Sequence, residues 1–389
     1  MTTSLRLPAV AQSPPGRKHA WRERWVRFRN SLLGSPGFRA WATAFLPTRP
    51  IARRQARALF DLVAGFVYSQ VLSACVSVGL FDLLAGPPQS IAALAPRLGL
   101  DEAATERLLK AAAALELTEN LGDGRYTLGP LGAALQGNPG IVAMIDHHAI
   151  LYRDLADPVA LLRREIDPEL ARFWAYATSP DPAAATPDSV RAYSALMAVS
   201  QTLVAQEILA AYPIGRHRRL LDIGGGEGAF LCAAAGRAAR LQLVLFDLPA
   251  VVDRAVRRFA EAGLEGRAQI VGGNFLTDAL PTGADIVSLV RVLHDHDDQA
   301  VLTVLRKAHD ALPAGGVLLV AEPMSATPGA RPIGDAYFGF YLEAMRSGRP
   351  RTADELANLI RAAGFNEIRL RPTHTPMLVS VMTARARAR

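Results

Sequence analysis

The chain has 389 residues, half of them hydrophobic, with 43 basic against 36 acidic residues and two cysteines. That length allows two domains and a large core, and two cysteines exclude a disulfide framework. The net charge of +7 is unevenly placed: residues 1–57 hold twelve basic residues against Glu23, a surplus of eleven that leaves the rest at −4. The basic balance therefore belongs to an arm, which excludes reading the folded body as a nucleic-acid binder from its charge.

Residues 1–16, with Pro8, Pro14, Pro15 and Ser13, read as disordered. Trp21, Trp25, Phe28 and Leu32 then recur at helical spacing with Arg22, Arg24, Arg27 and Arg29 between them, and after a break at 34–37, Phe38, Trp41 and Phe45 repeat the pattern. Aromatic side chains beside arginines suit an interfacial helix on an anionic membrane, and residues 17–57 are expected to make such peripheral contact. A solvated arm, or one docked on the acidic body, fits the same residues. No secretory signal precedes this arm, so a cytoplasmic location is expected, peripheral to the inner or photosynthetic membrane if the arm meets lipid.

Residues 51–135 read as a compact, mainly helical domain. Positions 62–81 carry no charge for 20 residues, long enough to cross a bilayer, yet Ser69, Gln70, Ser73, Ser77 and Gly79 interrupt them and Asp61 and Asp82 bracket them. A buried or dimer-forming helix is expected there. Cys75 and Cys232, both in apolar helical contexts, read as buried thiols. Ser90 caps a short helix that Gly99 ends, Asp101 caps a second running to about Glu116, and TENLGDGRYTLG reads as a hairpin around Asp123 and Gly124. Helix, helix, hairpin is the winged-helix order. Its candidate recognition helix carries Asp101, Glu102, Glu106 and Glu116 against Arg107 and Lys110, so it does not suit a DNA groove, and no nucleic-acid partner is expected.

Residues 136–210 are expected to form a helical linker broken by prolines 158, 168, 180, 182 and 187. His147, His148, Tyr152, Phe173, Trp174, Tyr193 and Met197 give it apolar and aromatic surface that together would wall a lipophilic pocket. From 211 to 389 strand and helix patterns alternate: RLLDI, QLVLFD, AQIVGG, ADIVSLV, GVLLVAE and TPMLVSVM (375–382), with helices from Pro249, about Asp298 and Thr352. The fold class is α/β, with ligands expected at the strand C-termini.

Those ends carry the chemistry. LLDIGGGEGAF reads as strand, glycine turn and helix start, a nucleotide-type binding turn. Gly224, Gly226 and Ala229 also satisfy the dinucleotide spacing, with Asp247 downstream, so the glycines alone leave a pyridine dinucleotide open. Asp222 weighs against it: a carboxylate there repels a pyrophosphate and attracts the ammonium and sulfonium of S-adenosylmethionine. Asp247 can accept two ribose hydroxyls, Asn274 and Phe275 offer an amide and a ring to adenine, and His294 is the best general base, with Glu322 placed to orient it.

LLDIGGGEG, LFDLPAVV, GGNF, LVRVLHD and LLVAE, in this order and spacing, resemble the class I O-methyltransferases of the caffeate and acetylserotonin type. The resemblance covers roughly residues 55–385. The basic aromatic start and LFDLVAGFVYSQVL further resemble the bacterial carotenoid branch, of the demethylspheroidene (hydroxyneurosporene) type. The resemblance implies a Rossmann-like seven-stranded methyltransferase domain behind a winged-helix dimerisation domain, a homodimer, S-adenosylmethionine as donor with S-adenosylhomocysteine as product, and no metal. It implies donor contacts at Asp222, Gly224, Gly226, Asp247, Leu248, Gly273, Asn274, Phe275 and Arg291, with His294 as catalytic base and Glu322 as one of two acids that steer it. The acceptor implied is the tertiary 1-hydroxyl of an acyclic hydroxycarotenoid. The chain departs from the family at Pro350, where a second acid is usual before Arg351 and Thr352, at Asn274 for a frequent Asp, and at His296 for a Trp. Two alternatives stay open from the residues: a methyltransferase for another hydrophobic acceptor (polyketide, phenol or bacteriochlorophyll precursor) and a winged-helix regulator that senses the donor.

Overall fold

A computed structural model describes residues 17–173 and 187–388. The expected disorder at 1–16, and the linker residues Trp174, Pro180 and Pro182, lie outside the described residues, as does the side chain of Tyr193. The chain divides into two units, 1–72 and 73–389. In the first, helices Arg17–Gly34 and Pro36–Ala44 meet at Ser35, whose side chain accepts from Phe38 N at 3.4 Å ahead of Pro36 in the first turn. The expected break at 34–37 is thus a single capping residue.

Helix Arg49–Ser77 carries the uncharged stretch and stops before Gly79, at φ +67°. By length and composition it could cross a membrane. Burial, one of the two expectations for it, fails along its middle: Phe60, Leu62 and Phe66 are 64%, 81% and 72% exposed. Cys75, near its end, is fully buried as expected, and burial pushes its thiol up to about 12. Cys232 is half-buried and its thiol is raised by the same cause.

The capping residues act as expected in the next module. Ser90 accepts from Ala93 N (3.3 Å) and Asp101 from Ala104 N (2.7 Å), starting helices Ile91–Leu98 and Glu102–Ala114, and Gly99 ends the first at φ +67°. The strands β1 (Gln89–Ser90), β2 (Thr118–Asn120) and β3 (Arg125–Leu128) pair antiparallel in the order β1-β3-β2, completing the winged-helix arrangement. Beyond it, helices Pro139–Asp154, Pro158–Leu162 and Pro187–Ala211 each begin on a proline, which has no N–H to lose there.

Seven strands form the large sheet: β4 (Arg219–Ile223), β5 (Gln242–Asp247), β6 (Ala268–Gly272), β7 (Ile286–Val290), β8 (Val317–Glu322), β9 (Phe365–Arg371) and β10 (Ser380–Ala386), in the order β6-β5-β4-β7-β8-β10-β9. The first five are parallel; β10 lies antiparallel between β8 and β9. Both faces are covered, which is why the parallel strands read as unbroken apolar runs. Leu221, Ile223, Val287 and Val320 pack beneath Val304, Leu305 and Ile360 on one face. Leu220, Leu245 and Leu319 meet Phe230, Phe259 and Ile208 on the other.

Two expectations need correction here. The strand sought at 375–382 starts at Ser380, because Leu378 N bonds back to Thr375 O in a turn. β9 was not foreseen: FNEIRLR is an edge strand with three charged residues, so only part of its pattern is apolar.

Candidate active site

The parallel strands deliver their C-terminal residues to one cavity. Asp222 is the last residue but one of β4 and Asp247 ends β5, the segment 274–276 follows β6, and 291–296 follows β7. Reversal of strand order between β5-β4 and β4-β7 opens the crevice at this edge.

Asp222 is 1% exposed. Its Oδ1 accepts from Ser288 Oγ at 2.5 Å, the residue paired with it across β4 and β7, while its buried Oδ2 has no hydrogen-bond partner. Burial pushes the carboxyl up to about 7, against the Ser288 bond and with help from nearby Asp247. Gly224 sits at φ +68° with Val292 Cγ2 only 2.8 Å from where a Cβ would lie, so no side chain fits. Gly226, at φ +60°, faces open space and donates its N–H to Asp247 Oδ2 at 2.7 Å. Asp247 accepts a second amide from Leu248 at 2.7 Å, and burial still holds its carboxyl up at about 6.

The remaining expected donor contacts divide by role. Leu248, Asn274, Phe275 and Arg291 line the cavity. Asn274 also shapes its own loop, accepting from Leu276 N at 2.9 Å through its side chain while its N–H donates to Asp278 at 2.8 Å. Phe275 meets the His296 ring edge-on at 5.4 Å. Arg291 takes φ +57° and donates to Ser200 Oγ at 2.9 Å. Gly273 does not line the cavity; a Cβ there would strike the Phe246 ring at 2.7 Å, and its N–H bonds Asp247 O, so it supports the turn from beneath.

His294 and Glu322 come together as expected. His294 Nδ1 lies 2.5 Å from Glu322 Oε2, and Glu322 Oε1 accepts the amides of Val292 (3.0 Å) and Leu293 (2.7 Å). One carboxylate thus fixes both the ring and the turn that carries it. His294 itself does not line the large cavity. Asp295 does, and its Oδ1 makes an ion-pair contact 3.0 Å from His294 Nε2. Burial works against the imidazolium, but Asp295 and Glu322 outweigh it and raise the histidine above its ordinary range. Asp295 in turn is pushed up to about 6 by burial. Sequence reasoning passed over Asp295, Ser288 and Ser200. The first adjoins the candidate base in sequence; the other two reach the site only through tertiary pairing.

A match to the O-methyltransferase domain family spans residues 152–366, and one to the O-methyltransferase dimerisation domain spans residues 60–137. The chain belongs to the O-methyltransferase family. It is similar to the demethylspheroidene O-methyltransferase of Cereibacter sphaeroides, at 48% identity over 356 residues that cover 91% of this chain and 93% of that one. Its counterpart from Rhodobacter capsulatus is 44% identical over 338 residues, covering 86% and 83%. Among solved structures, human N-acetylserotonin methyltransferase in complex with SAM aligns with a TM-score of 0.72 over 86% of this chain and 98% of that chain; at 24% identity this likeness carries the fold alone. The family membership removes the dinucleotide and regulator alternatives: the chain is an S-adenosylmethionine-dependent O-methyltransferase with a dimerisation domain ahead of its catalytic domain. Among the described residues no group of three or more His, Cys, Asp or Glu is placed to hold a metal.

Proposed function

We propose that this enzyme methylates the tertiary hydroxyl of an acyclic hydroxycarotenoid, acting as a homodimer. Its 48% identity to a demethylspheroidene O-methyltransferase across nearly the whole of both chains is the observation that carries this reading. The proposed organisation is an arm at 1–50, a dimerisation domain at 51–135, a helical linker at 136–210 that lines the acceptor pocket, and a donor domain at 211–389.

The residues of the cavity fit the donor. The unpartnered, buried Oδ2 of Asp222 awaits a cationic hydrogen-bond donor, and an ammonium supplies one. Asp247 keeps lone pairs beyond its two backbone bonds for ribose hydroxyls, and Phe275 offers a ring face to adenine. When bound, S-adenosylmethionine supplies an electrophilic methyl group on a sulfonium.

The protein's own part is to place the acceptor oxygen and take its proton. An aliphatic tertiary alcohol is too weak an acid to ionise beforehand, so the proton leaves as the new bond forms. His294 Nε2 receives it, Glu322 balances the imidazolium, and Asp295 turns aside from Nε2 to admit the hydroxyl. Alignment and exclusion of water provide most of the acceleration. Near the base, Phe338 packs edge-on to His294 at 5.8 Å, and Tyr337 and Tyr341 bond His148 and His147, each at 2.7 Å. These pairs satisfy the polar atoms of an otherwise aromatic wall suited to a polyene.

Peripheral membrane contact through residues 17–57 completes the proposal. Trp21, Trp25 and Phe28 are 71%, 52% and 56% exposed among the basic residues of their helix. Incubation with labelled methyl donor and a panel of hydroxycarotenoids, phenols and porphyrins, scored by mass, tests the acceptor. Methylation of phenols or porphyrins in preference to the carotenoids would overturn it.

A further inference from the structure

The turn that carries His294 is held by more than Glu322. Four consecutive carbonyls, from Leu293 to His296, each receive a hydrogen bond from the segment 347–351. Arg351 donates to Leu293 O and to His296 O, both at 2.7 Å, and so spans the base from either side. Arg349 N donates to His294 O at 2.9 Å, and Ser347 Oγ to Asp295 O at 2.5 Å. Between them Gly348, at φ +75°, passes so close that a Cβ would strike the His294 carbonyl.

Arg351 is the anchor of this segment. It is 4% exposed, and its Nε is tied to Asp298 Oδ1 at 2.8 Å. Its backbone is fixed as well: its carbonyl accepts from Ser325 N at 2.9 Å, and the next residue, Thr352, opens helix Ala353–Ala362 with a reciprocal capping box to Glu355. A planar fork on a rigid stem reaches two carbonyls at once; a lysine ammonium cannot reproduce that geometry.

We propose that Arg351 is a positioning residue for the methyl-transfer reaction, holding the 293–296 turn so that His294 Nε2 stays aimed at the acceptor hydroxyl. The proposal rests on His294 being the base. It predicts an effect centred on the proton-transfer step, because Arg351 itself does not line the donor cavity, although Asp295 and His296 of the turn do. The groups that face the histidine are Glu322 from β8, Asp295 and Arg291 from its own turn, and neighbouring His296. Loosening the turn draws the ring away from its two carboxylates. The ascending limb of the kcat/KM profile, which reports neutral His294 in the free enzyme, then moves to lower pH.

Arg351→Lys and Ser347→Ala are to be compared with the full-length parent and with His294→Ala, measuring melting temperature, donor affinity by calorimetry, and kcat and KM against pH. Arg351→Lys is expected to lower kcat about 10- to 100-fold, as for a misaligned general base, with donor affinity kept and the limb displaced downward in pH. Ser347→Ala should shift the limb the same way to a smaller extent. Added guanidinium should restore part of the turnover of Arg351→Ala if that variant folds. An unchanged kcat and limb in Arg351→Lys, beside an inactive His294→Ala, would overturn the positioning role. So would a loss of kcat that only tracks lost folding, with the limb in place. Full turnover by His294→Ala would instead remove the base reading itself.

Discussion

Replacing Asp222 by Asn tests the electrostatic core of the proposed donor site. The substitution keeps an acceptor for Ser288 Oγ and removes the charge from a group that is 1% exposed, with one oxygen unpartnered. A hydrogen bond to a charged partner contributes about 1.5–3 kcal/mol. At 1.4 kcal/mol per decade, donor affinity should fall about 10- to 150-fold. Proton linkage gives a second signature. Burial pushes Asp222 up to about 7, so in the free enzyme the carboxyl retains a proton well above the usual carboxylate range, and a cation draws it to the carboxylate. Calorimetry in two buffers of different ionisation enthalpy should therefore show more proton release at pH 7 by the parent than by Asp222→Asn. The stability sign is opposite. A carboxyl whose folded value is raised contributes stability fully only below its unfolded value near 3.8, and that is lost as pH rises through about 7. The donor-free variant should thus melt higher than the parent at pH 8. Donor affinity within threefold of the parent, with the same proton release, would refute the reasoning.

His294→Ala should abolish or severely reduce turnover while leaving donor affinity intact, and single-turnover assays beside calorimetry check both halves. Glu322→Gln should lower kcat by about 10²–10⁴ with little change in melting temperature, since the Gln carbonyl still accepts from Val292 and Leu293 while the oxygen facing His294 Nδ1 is lost. Asp295→Asn removes one of the two carboxylates that raise His294 in the free enzyme, so the ascending limb of kcat/KM should move to lower pH. Co-sedimentation with anionic liposomes should be lost on deleting residues 1–50 and weakened by salt; equal sedimentation of both chains would sink the membrane contact.

The proposed donor half of the site was legible because its signals are local. Asp222, the glycine turn and Asp247 sit within 26 residues of chain, and a strand running into glycines has few other uses. The other half depends on pairing that no short window contains. Ser288 meets Asp222 through the β4-β7 register, and Arg351 reaches Leu293 and His296 from beyond β8. Asp295 adjoins His294 in sequence, yet only the fold turns its carboxyl toward Nε2 and into the cavity wall. β9 escaped for a different reason: an edge strand needs one apolar face, and its Arg and Glu side chains blurred the alternation. The exposed middle of helix Arg49–Ser77 shows the limit from the other side, since apolar composition marks a surface that wants cover without saying what covers it.

Glu322 closes the tip of β8 onto two amides with one oxygen and onto an imidazole with the other. A descendant of this chain that had stopped transferring methyl groups would still require an acceptor there, or leave two buried N–H groups stranded. Retention of an acid at that place in some silent relative is therefore no sign that it still turns over; the histidine beside it is the more honest witness.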